Sequence, residues 1–196
     1  MIVRDSEALS DLLVKAQACT ICSDLPLGPK PLVQASSSAR ILISSQAPGA
    51  KTHEKGRPFD DLSGKRLREW LGVTEDQFYD PDLFAIIPMG LCYPGTGKGG
   101  DLPPRPECAP AWRQPLLSQM TDLKLTLVLG QYALDWHLGD RKSRTLTETV
   151  KRWQEFWPDI LPLPHPSPRN IRWLKANPWF ETDVIPALQK RVSALI

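Results

Sequence analysis

Ile41-Leu42-Ile43, followed directly by Ser44-Ser45-Gln46-Ala47-Pro48-Gly49, reads as a buried strand that empties into a sharp turn. The apolar run has the length and composition of a parallel strand covered on both faces. The small residues with Pro48 and Gly49 bend the backbone and turn its N–H groups outward. Ligands of open α/β sheets sit outside the carboxyl ends of the strands, so a pocket is expected at this turn. Lys51, His53 and Lys55 are expected to fill the loop, and Phe59 of Gly56-Arg57-Pro58-Phe59 to close it. A flat aromatic ring beside a wall of amides and carbonyls suits a flat heterocycle such as a nucleobase.

Upstream, Leu9, Leu12, Leu13 and Ala16 recur at helical spacing over Ser6–Ala18, with Asp5 or Ser6 as cap. A Pro/Gly/Ser-rich link, 26–38, leads into the first strand, 40–44. Downstream, Leu62–Leu71 is an amphipathic helix stopped by Gly72, and Phe84-Ala85-Ile86-Ile87 a second strand. After the irregular stretch 89–110 come a helix at 111–120, a third strand at Leu125–Leu129 and a helix at Gln131–Leu138. A helix ending at 153–157, a short strand at Ile160–Leu163 and the loop His165-Pro166-Ser167-Pro168-Arg169-Asn170 follow. A last helix, 178–195, has Pro178 in its first turn and Pro186 as a kink. Strands alternating with helices imply right-handed crossovers and a parallel sheet of about four strands, α/β in class.

The 196 residues suffice for one α/β domain with a full core, and 1–196 is read as a single domain. The net charge of +2, from 24 basic and 22 acidic residues, excludes a global basic field, so any nucleic-acid contact must be local. No apolar run reaches the roughly 18 residues that a membrane span needs. The N-terminus carries no signal-peptide pattern, so a cytoplasmic protein without membrane contact is expected. The 20 prolines cluster at 88–115 and 158–186 among aromatics and charges, which implies rigid irregular segments rather than disorder.

Four cysteines fall as Cys19-x2-Cys22 and Cys92-x15-Cys108, a metal-ligand pattern in a chain without a secretion signal. Zinc accepts four thiolates, but its second pair is usually also closely spaced. A [4Fe–4S] cluster takes four thiolates, one of them from far along the chain, and the wide spacing favours it. Either centre would staple the N-terminal helix and the proline-rich loop to the core.

In combination these residues resemble the uracil-DNA glycosylase superfamily, and most closely its iron–sulfur branch. That branch carries GEAPG, then GRPF, then cysteines as CxxC and Cx15C, then an HP-S motif. The corresponding residues are Ser45-Gln46-Ala47-Pro48-Gly49, Gly56-Arg57-Pro58-Phe59, Cys19, Cys22, Cys92 and Cys108, and His165-Pro166-Ser167-Pro168. HPSPRN, through Asn170, is also similar to the motif of the single-strand-selective branch. The resemblance implies a three-layer α/β/α sandwich, acting as a monomer, that flips a deaminated base out of DNA and hydrolyses its N-glycosidic bond. It implies that Phe59 stacks on the base and that Gln46, Ala47 and Pro48 line its edge. His165 would donate to the oxygen that becomes negative. Ser45 and Ser167 would hold flanking phosphates, and Arg169 and Asn170 would enter the groove or fill the vacated space.

The chain departs from that pattern in three places. Gln46 stands where the branch has a carboxylate, and Ala47 where the classical branch has a water-activating aspartate. Lys51, Thr52 and His53 occupy a normally acidic stretch. Pro88 stands where an asparagine reads the donor and acceptor of uracil, and proline can do neither. Water is therefore expected to be positioned by Gln46 or activated by Asp60, Asp61 or His53. The glycine-rich stretch 93–100, with Lys98, lacks the GxxxxGK[ST] spacing of a nucleotide-hydrolysing loop and is expected to touch the DNA backbone. His137, inside a helical stretch, is expected to be structural. Three readings follow: a monofunctional glycosylase for uracil or a deaminated purine, a degenerate DNA-binding relative, and an iron–sulfur or zinc protein of redox function. The HPSPRN and GRPF motifs weigh against the last.

Overall fold

Four parallel strands in the order β2-β1-β5-β6 form the central sheet of the chain. The structure is a computed structural model describing residues 2–196, with side chains from Leu9 onward. Helix α1 (Ile2–Gln17) precedes β1 (Ile41–Ser44), and α2 (Ala50–Lys55), α3 (Leu62–Leu71) and α4 (Glu75–Phe78) lead to β2 (Phe84–Ile86). A small hairpin of β3 (Thr96–Gly97) and β4 (Gly100–Asp101) precedes α5 (Gln114–Ser118). Then come β5 (Leu125–Leu129), α6 (Gln131–Leu138), α7 (Leu146–Lys151), β6 (Ile160–Leu163), α8 (Ile171–Ala176) and α9 (Ile185–Ser193).

The layers follow from the period of two along each strand. Ile41, Ile43, Phe84, Ile86, Leu125, Leu127, Leu161 and Leu163 face one side, where Leu67, Leu71, Phe180, Leu188 and Val192 of the α3 and α9 region cover them. Leu42, Ala85 and Ile87 face the other side, against Leu9 and Ala16 of α1 and Leu116 of α5. Both faces are covered, which is why the strands read as unbroken apolar runs. Pro162 is tolerated because β6 lies at the sheet edge, where a missing N–H costs no ladder bond.

The sheet reverses its growth direction beside β1. The chain runs from β1 to its neighbour β2 and then crosses to the opposite side to add β5 and β6. That switch point is where a crevice opens at the strand ends of an α/β sheet. Under it, Arg113 is 1% exposed, and among the described residues no carboxylate pairs with it. Its guanidinium donates to the Ile87 carbonyl, to Ser44 Oγ (2.8 Å) and to His137 Nε2 (2.5 Å), joining the ends of β1 and β2 to α6. Burial lowers the guanidinium pKa to about 9, and burial together with this neighbouring charge lowers His137 to about 3. His137 is therefore a neutral structural acceptor, as its helical setting implied.

Several expectations need correction. Asp5 and Ser6 lie inside α1 rather than at its cap. The segment expected to be a loop carrying Lys51, His53 and Lys55 is α2, started at Gly49 and ended by Gly56 at φ 74°. Lys30 Nζ caps its exposed end by donating to the carbonyls of His53 (2.6 Å) and Glu54 (3.3 Å). The expected last helix, 178–195, opens with a π-helical turn, Phe180–Val184, that runs directly into α9 near Pro186, and a separate short helix, α8, precedes it and ends at Ala176. The expected helix at 111–120 is a π-helical turn, Ala109–Arg113, followed by α5.

Candidate functional site

A cleft of about 670 Å³ opens at the carboxyl ends of the sheet, walled by the turn after β1, Pro88 after β2 and His165–Asn170 after β6. The rings of Phe59 and His165 both line it, with centroids 6.5 Å apart and planes inclined by 25°. Two motifs about a hundred residues apart in sequence therefore present near-parallel flat faces to one space.

Phe59 reaches this position through a constrained backbone. Its φ of 55° makes it the non-glycine residue of positive φ among the described residues, a conformation that bulky side chains avoid. Gly64 in the first turn of α3 makes it possible. A Cβ there would stand 1.6 Å from the Phe59 carbonyl oxygen. The Gly64 N–H donates to Asp61 Oδ1 at 2.8 Å, so Asp61 is the α3 cap. Tyr79 Oη donates to the Pro58 carbonyl (2.9 Å), and Arg57 lies 3.9 Å over the Tyr79 ring. The Phe59 ring meets Phe78 edge-on at 6.2 Å.

His165 is fixed from its backbone. Asn170 Nδ2 donates to the His165 carbonyl at 2.7 Å, and Arg66 Nη1 to the carbonyls of Pro166 (3.3 Å) and Ser167 (3.0 Å). Ser167 Oγ accepts from the Arg169 N–H at 3.2 Å. The imidazole makes no hydrogen bond to another described residue, so its nitrogens remain available to the cleft. Burial lowers its pKa below the ordinary 6.5, opposed in part by the carboxylates of Asp61 and Asp101. At neutral pH the ring is neutral and carries one N–H donor.

The turn after β1 is stitched to the segment after β2. Met89 N–H donates to the Ser45 carbonyl (2.8 Å) and Gly90 N–H to the Gln46 carbonyl (2.9 Å). Ser45, Gln46, Ala47 and Pro48 line the cleft, as do Pro88, Ser167, Arg169 and Asn170. Gln46 does not hang free in it: its Nε2 donates to the Leu102 carbonyl at 2.9 Å and anchors the strand leaving β4.

Three expected site residues stand elsewhere. Asp60 is not in the cleft wall; its carboxylate is paired with Lys55 (2.9 Å) and Arg57 (3.3 Å), which hold its pKa down. His53 is buried beside the Tyr93 ring, 6.0 Å between centroids, with Nδ1 unpartnered; burial and Lys30 lower its pKa. Lys98 is exposed in the hairpin turn and does not line the cleft, whereas Gly99, Gly100 and Asp101 do. Sequence reasoning missed Asp101 altogether. The signal was present in Gly97-Lys98-Gly99-Gly100, a two-residue hairpin turn that fixes where the next side chain points.

All four cysteines line one small pocket on the far side of the 89–110 segment, with Ile21, Leu25, Leu91 and Trp112 as apolar walls. Cys108 Sγ accepts the Leu91 N–H at 3.2 Å. Burial raises the thiol pKa of Cys92, and that of Cys108 to about 11. Among the described residues, no three His, Cys, Asp or Glu side chains close on a point that would hold a single ion. No helix among those residues is long and apolar enough to cross a membrane. In comparison with known families, a model described as the Uracil DNA glycosylase superfamily matches residues 33–189.

Proposed function

The chain belongs to the uracil DNA glycosylase superfamily, and from that premise we propose that it is a monofunctional glycosylase removing a deaminated base from DNA. The observation that carries this reading is the shared cleft of Phe59 and His165, with rings 6.5 Å apart. A base extruded from the helix enters beside Phe59 and stacks on it. The Gln46 carbonyl is engaged by Gly90, so the backbone N–H groups of Gln46 and Ala47 read the base edge.

Cleavage breaks the C1′–N bond heterolytically. The electron pair leaves with the base, whose ring oxygen becomes negative, and the sugar becomes an oxocarbenium ion that captures water. The neutral imidazole of His165 donates its N–H to that oxygen. A donor aimed at developing charge in a dry site is worth on the order of 10²–10³ in rate. Arg66 and Asn170 hold the His165 loop, so the donor is in place before the base arrives. Ser45, Ser167, Arg169 and Asn170 hold the flanking backbone and the emptied stack.

Pro88 in the cleft wall offers no amide to the uracil edge. This favours a substrate read by backbone groups, hypoxanthine and xanthine included. The four-thiol set fits a [4Fe–4S] cluster: the ligands share one apolar pocket, and a backbone N–H points at Cys108 sulfur. Cys19, Cys22, Cys92 and Cys108 would hold it, and its contribution would be to clamp α1 and the 89–110 segment to the sheet. The test is a panel of single- and double-stranded oligonucleotides carrying uracil, hypoxanthine, xanthine or a normal base, treated with alkali after incubation. Strand scission on at least one deaminated base is expected. Intact strands throughout, with DNA bound, would leave a non-catalytic DNA-binding protein.

A further inference from the structure

The cleft contains a carboxylate that the motifs do not supply. Asp101, the last residue of β4, lines the cleft opposite the β1 turn, with Oδ2 3.4 Å from where a Cβ on Gly49 would lie. Its orientation is built. Tyr93 Oη hydrogen-bonds to Thr96 Oγ1 (2.5 Å), and Thr96 Oγ1 lies 3.4 Å from Asp101 Oδ1. Leu102 N–H donates to the Gly95 carbonyl at 2.8 Å, closing the hairpin, and Leu102 in turn is held by Gln46. Gln46, which stands where the resembling family has its carboxylate, thus fixes the strand that delivers another one. Of the other acidic candidates, Asp60 is ion-paired outside the wall, and Asp61, which also lines the cleft, spends its Oδ1 on capping α3.

We infer that Asp101 is the carboxylate of this active site, stabilising the oxocarbenium ion and accepting the proton of the attacking water. The inference rests on the glycosylase reading above. As C1′ loses the base with the bonding pair, the Asp101 carboxylate faces the positive sugar. Water oxygen then bonds to C1′, and one water proton passes to Asp101. The base anion, held by the His165 N–H, is protonated from solvent after release. The hairpin brings this group to the cleft from the cysteine-bearing segment, so the clamp at Cys92 and Cys108 also sets the position of the carboxylate.

Two readouts test it. The first is single-turnover release of base from the uracil, hypoxanthine and xanthine oligonucleotides by wild type, Asp101→Asn and Asp101→Glu. Asp101→Asn is expected to slow release about 10²–10⁴-fold at unchanged melting temperature, with partial recovery in Asp101→Glu. The second is the affinity for an oligonucleotide carrying a cationic pyrrolidine abasic-site analogue against one carrying neutral tetrahydrofuran. Wild type should prefer the cation, and Asp101→Asn should lose that preference while binding tetrahydrofuran normally. A residue that only positioned His165 would leave the preference intact. Excision at an undiminished rate in Asp101→Asn, or a preference that survives the substitution or is absent in wild type, overturns the role of Asp101 and leaves the glycosylase reading standing. A wild-type protein that releases no base and binds neither analogue overturns the glycosylase reading, and this inference with it.

Discussion

Substituting Gly64 by alanine puts one methyl group where the backbone of Phe59 already is. The new Cβ would stand 1.6 Å from the Phe59 carbonyl oxygen, 2.6 Å from its carbonyl carbon and 2.8 Å from its Cβ. None of these atoms is the end of a flexible side chain, so Phe59 or the start of α3 must move. Overpacking of this kind costs about 1–3 kcal/mol. Displacing the Asp61 cap adds about 0.5–2 kcal/mol, and the better helix propensity of alanine returns up to about 1 kcal/mol. The terms span about 0.5–5 kcal/mol and centre on about 2.5 kcal/mol, which lowers the melting temperature by about 5–10 °C for a chain of this size. The alternative relief is for Phe59 to abandon its φ of 55°, which spares stability but swings the ring out of the cleft. Stacking on a base, worth about 1–3 kcal/mol, is then lost. Either way, Gly64→Ala cannot keep both properties. Thermal melting paired with binding to a uracil-containing oligonucleotide measures them, with Gly99→Ala, which meets nothing within 4 Å, as the stability control. A Gly64→Ala protein that melts and binds like wild type would refute the argument that this glycine holds Phe59 in place.

Acid sensitivity should trace in part to His137. Its folded pKa of about 3 lies below the ordinary 6.5, so between these values the unfolded chain binds more protons and stability rises with pH. The contribution is full above 6.5 and is lost on acidification towards 3, reaching at most about 2 kcal/mol at pH 5. Denaturant melts of His137→Gln across that window should show a shallower slope than wild type, and parallel slopes would reject the assignment. For the thiol pocket, iron and acid-labile sulfide analysis should find about four irons per chain, lost together with thermal stability in Cys92→Ser or Cys108→Ser. One zinc per chain and no sulfide would reject the cluster.

The sheet was legible because burial on both faces leaves a plain mark. Ile41–Ile43, Phe84–Ile86, Leu125–Leu129 and Ile160–Leu163 are apolar runs bounded by turns, and each is a strand of the sheet. The start of helix α6 was legible, since the turn at Gly130 precedes it. What escaped is structure whose cause is local geometry or long-range packing. Helix α4 is four residues long and rests on a capping box between Thr74 and Gln77, a signal too short to stand out. The short helix α8 and the π-helical turn Phe180–Val184, whose Phe180 ring meets Trp70 and Trp173 edge-on, likewise left no mark in the apolar spacing. In the site, Phe59 and His165 were readable because motif and position agreed. Asp60 was misplaced because adjacency to Phe59 says nothing of direction, and the positive φ at Phe59 separates the two side chains. Asp101 was hidden in a glycine-rich stretch valued for its lysine rather than for the hairpin it forms.

The central claim is that this cleft breaks a glycosidic bond with His165 as donor to the departing base. Mass-spectrometric identification of free base, released in a single turnover from deaminated oligonucleotides by wild type and by His165→Ala, tests it most directly. The account requires a free uracil, hypoxanthine or xanthine from wild type, and release slowed about 10²–10³-fold in His165→Ala with binding of tetrahydrofuran-containing DNA retained. Release by His165→Ala at the wild-type rate, or no free base from wild type on any of these substrates, would contradict it.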